Sequence, residues 1–337
     1  MFFLSDNAAP VAPQVMEALM RANQGFAAPY GNDEVTARVR ATIREVFEAP
    51  EAAIYFVATG TSANVLALAS ITPPWGAIFC HDDAHVHHDE CNAPEFFTQA
   101  KLIPVTGEQG RITPEGLQAA IARKGAGVVH SAQPAALTLT NVTEDGTLYT
   151  PAQIAALTTV AREHKMLTHL DGARFANAVA ALGCSPAEMT WKAGVDVVSF
   201  GGTKGGLMGA EAVVFFDPKH AWEFELRRKR GGHLFSKLRY LSAQFEGWLE
   251  GGLWLEMARH ANAMTARLAE GLGQIEGVTF AYEVGGNIIF ADFPEVVNQR
   301  LQAAGARYYL NGSRARLVTS WATSVEEVEA FIAAAKG

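Results

Sequence analysis

Val195-Asp196-Val197-Val198-Ser199-Phe200-Gly201-Gly202-Thr203-Lys204-Gly205-Gly206 decides the reading of this chain. It opens with a valine-rich, β-branched run, the composition of a strand buried on both faces. The strand leads directly to a lysine flanked by glycine pairs, and glycine lets a backbone come close to a flat ligand. A phosphate-binding P-loop needs Gly directly before the lysine and Ser or Thr directly after it. Here Thr203 precedes Lys204 and Gly205 follows, so the nucleotide reading fails. A lysine in an apolar, glycine-rich pocket can lose its charge and form a Schiff base. The plain alternative is an ordinary loop lysine.

The same rhythm extends in both directions. Short apolar runs recur at Ala53–Ala58, Ala77–Cys80, Leu102–Val105, Gly127–His130, Leu167–Leu170, Val195–Phe200 and Ala212–Phe216. Helical patterns lie between several of them, notably Thr113–Arg123 and Pro151–His164. Thr113-Pro114-Glu115 and Thr150-Pro151-Ala152 read as helix starts, a threonine N-cap followed by proline. Strands alternating with helices predict an α/β fold whose mostly parallel sheet is flanked by helices. Two amphipathic helices, Gln14–Ala22 and Asp33–Glu48, come first, joined by a loop containing Pro29-Tyr30-Gly31. From about Gln244 the texture changes to a long helix, Trp254–Leu272, alternating segments near Val278–Tyr282 and Asn287–Phe293, and a last helix at Val325–Ala335. A chain of 337 residues exceeds what one hydrophobic core serves. The expected organisation is a large domain over residues 1–243 and a smaller C-terminal α+β domain over 244–337.

Composition narrows the function classes. Apolar residues make up 49% and charged residues 18%, which suits a globular protein and excludes disorder. A formal net charge of -8 argues against a nucleic-acid surface. The one dense basic run, Arg227-Arg228-Lys229-Arg230, is isolated and reads as a solvated helix face. No apolar stretch is long enough to span a bilayer, and the start lacks the basic region of a secretion signal. Cys80, Cys91 and Cys184 are an odd number without paired metal spacing, which suits free thiols in a reducing compartment. A cytoplasmic protein is expected.

Three further segments carry chemistry. In Thr168-His169-Leu170-Asp171-Gly172-Ala173-Arg174 a carboxylate appears at the end of an apolar strand, where open α/β sheets bind ligands. Asp171 can pair with a protonated ring nitrogen, or simply cap a helix. Ala58-Thr59-Gly60-Thr61-Ser62-Ala63-Asn64 turns from strand into helix and offers free N–H groups to a phosphate, although a simple capped helix would look the same. His81, His85, His87 and His88 raise the question of metal, but flanking Asp82 and Asp83 favour a loop. One imidazole against a cofactor ring is the more economical role, and no metal is expected.

Taken in order, Thr59-Gly60-Thr61, Ala84-His85-Val86 with Asp89-Glu90-Cys91, His169-Leu170-Asp171-Gly172-Ala173-Arg174 and Ser199-Phe200-Gly201-Gly202-Thr203-Lys204 resemble the low-specificity threonine aldolases. Those enzymes have the aspartate-aminotransferase-like fold of pyridoxal-phosphate enzymes (fold type I). Leu4-Ser5-Asp6-Asn7, Tyr30-Gly31-Asn32-Asp33 and Arg316-Leu317-Val318-Thr319 also match in order, so the resemblance covers nearly the whole chain. It implies that Lys204 carries pyridoxal 5'-phosphate, that Asp171 pairs with its pyridine nitrogen, that His85 stacks on its ring and that Gly60 and Thr61 bind its phosphate. It further implies that Ser5, Arg174 and Arg316 hold the substrate carboxylate, that Tyr30 enters from a neighbouring subunit, and that the protein is a homo-oligomer, a dimer or a tetramer.

The implied reaction cleaves threonine, allo-threonine or a related β-hydroxy-α-amino acid to glycine and an aldehyde, with His85 or a water it holds taking the hydroxyl proton. Other lyase chemistry on the same cofactor, such as β-elimination or cleavage of phenylserine, is the alternative. Two departures from the family leave the base open. Many members carry Asn-Thr-His where this chain has Leu139-Thr140-Asn141-Val142-Thr143-Glu144, and many carry His where it has Ser320.

Overall fold

In a computed structural model that describes residues 1–337, seven short strands form the central sheet: β1 (Ala53–Val57), β2 (Gly76–His81), β3 (Lys101–Val105), β4 (Gln133–Thr140), β5 (Leu167–Gly172), β6 (Val197–Gly201) and β7 (Glu211–Phe215). Their order is β1-β7-β6-β5-β4-β2-β3, and β7 alone runs against the rest. Most strand residues are buried, as a sheet covered on both faces requires. The antiparallel run of β7 has a consequence for chemistry. Its first residue, Glu211, pairs with Val57 and Gly201, the last residues of β1 and β6. Glu211 therefore stands at the carboxyl edge of the sheet.

The helices are α1 (Pro13–Ala22), α2 (Glu34–Val46), α3 (Gly60–Ile71), α4 (His85–His88), α5 (Ala93–Thr98), α6 (Pro114–Ala122), α7 (Pro151–Glu163), α8 (Phe175–Leu182), α9 (Ala221–Arg230), α10 (Arg239–Leu249), α11 (Leu253–Leu272), α12 (Glu295–Ala303) and α13 (Val325–Lys336). Thr113 and Thr150 cap α6 and α7 as their Thr-Pro signatures predict, and Thr150 closes a full capping box with Gln153. Helix α3 is buried over every residue from Ser62 to Ile71, the mark of a helix with no solvent face. Its axis can move little, which fixes where its N-terminus points.

A second, antiparallel sheet is built from β8 (Thr279–Phe280), β9 (Ile288–Asp292), β10 (Tyr309–Asn311) and β11 (Arg314–Val318), in the order β10-β11-β9-β8. The core around the large sheet reaches Ala258 in α11, and the second core begins at Met264 in the same helix. Residue 244 lies inside α10. The first residues of the chain join the second unit, where Phe3 is fully buried and Phe2 bridges to Arg307.

Three local readings are corrected. Gly127–His130 is a turn rather than a strand: Gly125 and Gly127 take positive φ, Val129 is 91% exposed, and the Gln133 side chain ties the turn through Gly127 N, Val128 O and Ser131 O. The strand starts later, at Gln133, and a register shift opposite Ala77 and Ile78 absorbs Pro134. The basic run is not simply a solvated face, because Arg228 is buried, donates to Phe56 O and Glu225, and lies 5.1 Å from the Tyr55 ring. Finally, the glycines around Lys204 serve the protein's own packing. A Cβ on Gly202 would collide with Leu207, and one on Gly205 with Trp248, whose Nε1 donates to Gly205 O at 2.9 Å.

Candidate active site

Several chain segments converge on the carboxyl edge of the large sheet, where open α/β folds take their ligands. They surround a cavity of about 270 Å³ lined by Gly60, Thr61, Asn64, His85, Glu90, Glu144, Asp171, Lys204 and Glu211, among others. Each arrives for a local reason. Gly60 opens α3 after β1, His85 opens α4 after β2, Glu144 follows β4, Asp171 is the penultimate residue of β5, and Lys204 follows β6.

Asp171, 3% exposed, is bound on both oxygens. Oδ1 accepts from Ala173 N at 2.9 Å, the local turn bond, and Oδ2 accepts from Asn64 Nδ2 at 2.8 Å. The same amide donates to Glu90 Oε1 at 3.0 Å, and that oxygen also meets His85 Nδ1 at 2.9 Å. Asp171, Asn64, Glu90 and His85 thus form one continuous line. The Glu90 hydrogen bond raises the His85 pKa above its ordinary value. Burial, first of all, raises that of Glu90 too. Beneath this line, His169 sits between Thr138 and Ser199, and burial lowers its pKa to about 4, leaving a neutral ring that serves the core.

Lys204 presents an unengaged amine. It makes no hydrogen bond, and burial, then the nearby Arg174 charge, pull its pKa down. Such an amine gives up its proton more readily than a surface lysine. Glu211 braces the loop that carries it, Oε2 accepting from Gly202 N at 2.8 Å and Oε1 from Thr203 Oγ1 at 2.6 Å. Burial raises the Glu211 pKa to about 7 despite those donors.

Gly60 and Thr61 stand at the N-terminus of α3. Thr59 caps Ser62 N, and Ala63 N bonds to Thr59 O, so Gly60 and Thr61 N–H remain outside the helical ladder. A Cβ at Gly60 would meet nothing within 4 Å. Free N–H groups, a helix dipole and open space together suit an anion.

The residues expected at a substrate carboxylate are arranged differently. Arg174 is buried and donates from Nε and Nη2 to both oxygens of Asp6, at 2.7 and 3.0 Å, leaving Nη1 without a bond. Burial alone would raise the Asp6 pKa, but Arg174 and then Lys204 hold it below the ordinary value, and Asn287 adds a further bond. Arg316, on β11, packs its guanidinium 5.6 Å from the Tyr309 ring. Its own pKa is lowered by burial and then by Arg174. Ser5 caps the short turn Asp6–Ala8 and does not line the cavity, although Asn7 does. Tyr30 is 44% exposed, takes φ 60°, and lies with its ring under Lys229 rather than on the cavity.

His81 ends β2, and its ligand atoms lie within 4.8 Å of those of Asp82 and Asp83. His85 turns away to Glu90, while His87 and His88 pack on each other at 4.7 Å. The four histidines are therefore split among three environments. Sequence reasoning missed Asn64, Glu90, Glu144, Glu211 and Asp6 as members of the site. Asn64 had a signal, since it lies four residues after Gly60 and shares its helix face.

This geometry has relatives. The family model described as beta-eliminating lyase matches residues 3–293. The low specificity L-threonine aldolase of Pseudomonas aeruginosa is 40% identical over 330 residues, covering 97% of this chain and 94% of that protein. A protein of the same name from Pseudomonas sp. (strain NCIMB 10558) is 39% identical over 98% of this chain and 96% of its own. Among solved structures, Leishmania major threonine aldolase superposes with a TM-score of 0.91 at 27% identity, covering 99% of this chain and 98% of that one. The chain belongs to the beta-eliminating lyase family and, within it, to the low-specificity threonine aldolases.

Proposed function

We propose that the protein uses pyridoxal 5'-phosphate at Lys204 to cleave L-threonine, L-allo-threonine and related β-hydroxy-α-amino acids to glycine and an aldehyde. One observation carries the reading: an unengaged, half-buried amine, a carboxylate bonded on both oxygens and a free helix N-terminus share one cavity. That donor set fits the cofactor group by group, Lys204 to its aldehyde carbon, Asp171 to its ring nitrogen and Gly60 and Thr61 to its phosphate. His85, oriented by Glu90, holds the ring. When bound, the cofactor supplies an electron sink for the pair freed at the substrate's Cα.

The chain's own residues do the rest. Arg174, through its unbonded Nη1, and Arg316 take the substrate carboxylate with charge-assisted bonds, helped by Ser5. Asp6 holds Arg174 in place for that contact. Lys204, its pKa lowered, moves a proton at Cα. Tyr30 reaches a neighbouring subunit's site, so the working protein is a homo-oligomer, a dimer or a tetramer, in the cytoplasm. Its exposed position outside its own cavity supports that role.

The test is an absorption spectrum of the purified protein with the cofactor supplied, before and after borohydride, beside Lys204→Ala, followed by product analysis. A visible band that borohydride removes and the variant lacks, with glycine and acetaldehyde formed from threonine, is the expected result. Ammonia and a keto acid would select β-elimination instead, the chemistry after which the matching family model is named.

A further inference from the structure

We infer that Glu144 is the group that accepts the β-hydroxyl proton when the Cα–Cβ bond breaks, a role that rests on the aldolase reading above. The cavity holds four carboxylates, and three are already engaged. Asp171 is bound by Asn64 and Ala173 N, and Glu211 by Gly202 N and Thr203. Glu90 is held through Oε1 by Asn64 and His85, and its Oε2, though unpartnered, is sealed from the cavity by burial. Glu144 lines the same cavity and makes no hydrogen bond. Donors already compete for the lone pairs of Asp171 and Glu211, whereas an unengaged carboxylate has all its acceptor sites free for a substrate hydroxyl. The charges acting on Lys204, His85, Arg174 and Arg316 all include that of Glu144, so the carboxylate stands among these groups.

His85 is less suited to the task. Its Nδ1 is tied to Glu90, and that bond favours the protonated ring, which has no lone pair left to accept with. Glu144 lines a second cavity of about 10 Å³ together with His81, Asp83 and Thr140, about the room one water occupies.

The step balances. The O–H proton goes to a Glu144 oxygen, the O–H electron pair becomes the second bond of the aldehyde carbonyl, and the Cα–Cβ pair stays with Cα. Cα then gains a proton from Lys204, and both protein groups return to their starting state by exchange with water.

The experiment compares Glu144→Gln and Glu144→Asp with the wild-type holoenzyme in three assays. These are cleavage of L-threonine, exchange of the glycine Cα proton in deuterium oxide, and binding of L-alanine by calorimetry. Exchange needs Lys204 but no hydroxyl base, and alanine has no hydroxyl. The expected result for Glu144→Gln is a loss in threonine kcat of about 10²–10⁴-fold, the usual contribution of a positioned base, with KM, glycine exchange and alanine affinity within about threefold of wild type. Glu144→Asp should recover part of the loss. Cleavage by Glu144→Gln at the wild-type rate overturns the proposal. So does a parallel fall in cleavage and exchange, which would make Glu144 a positioning residue for Lys204. A wild-type enzyme that exchanges glycine but leaves threonine intact overturns the aldolase reading and this proposal with it.

Discussion

The groups lining the cavity are of two kinds, a braced wall and an open wall in the sense of their bonding rather than of their position. On one, Asp171, Asn64, Glu90 and His85 are joined end to end, with every bond at 3.0 Å or less. On the other, Lys204 and Glu144 make no hydrogen bond at all. A group that must hold a shape or a charge gains from being braced in advance. A group that must change its proton or its covalent partner during turnover is slowed by every bond it has to break first. The braced wall thus suits a cofactor that stays, and the open wall a substrate that comes and goes.

The largest effect should come from the open wall. Lys204→Ala removes both the covalent anchor and the proton carrier, and turnover should fall by more than about 10⁴-fold, measured as acetaldehyde release. Turnover within tenfold of wild type would remove Lys204 from the chemistry. Asp171→Asn comes next. It keeps the shape of the braced wall and deletes its charge, which is worth about 1–3 pKa units at a facing group and hence about 10–10³-fold in rate. An unchanged rate would reduce Asp171 to the turn bond with Ala173.

Asn64→Ala cuts the braced line in the middle, so Asp171 and Glu90 each lose a donor. Hydrogen bonds to charged groups contribute about 1.5–3 kcal/mol. Pyridoxal-phosphate affinity should therefore drop by about 10–100-fold, while kcat at saturating cofactor changes far less. Equal losses in both would show that the two walls are not separable.

How much of this was legible beforehand depends on the kind of contact. Six of the seven sheet strands and both Thr-Pro helix starts follow from short-range pattern, because β-branched runs and caps act within a few residues. The missed strand, β4, was masked by Val128 and Val129, which imitate a buried run while a glycine turn leaves Val129 exposed. Lys204, Asp171, Gly60 and His85 stood out because each sits at a strand end or helix start, positions that a parallel sheet gathers on one edge. Glu211 could not be found that way. It begins its strand, and only the reversed direction of β7 brings it to the same edge as the ends of the others. Asp6 is equally hidden, since its partner Arg174 lies 168 residues away. Glu144 ends the segment Leu139–Glu144, whose pattern gives it no special mark, and its freedom from partners is a property of packing alone.

Glu211 offers the smallest effect and the finest test of what bracing means. Two donors hold its carboxylate, yet burial raises its pKa from the ordinary 4.5 to about 7. A folded-state value above the unfolded one means that the folded protein binds the proton more tightly. Its stabilising contribution is complete below pH 4.5 and is lost as pH rises through 7. Glu211→Gln is neutral at every pH and keeps the side chain's shape. Between pH 4.5 and 7.5 the cofactor-free wild type should therefore lose on the order of 3 kcal/mol relative to the variant, seen as a melting-temperature gap of a few degrees that opens with pH. A gap that stays flat would mean that Glu211 is already ionised, held by its two donors and by the charge of Lys204, and that bracing outweighs burial at this edge of the sheet.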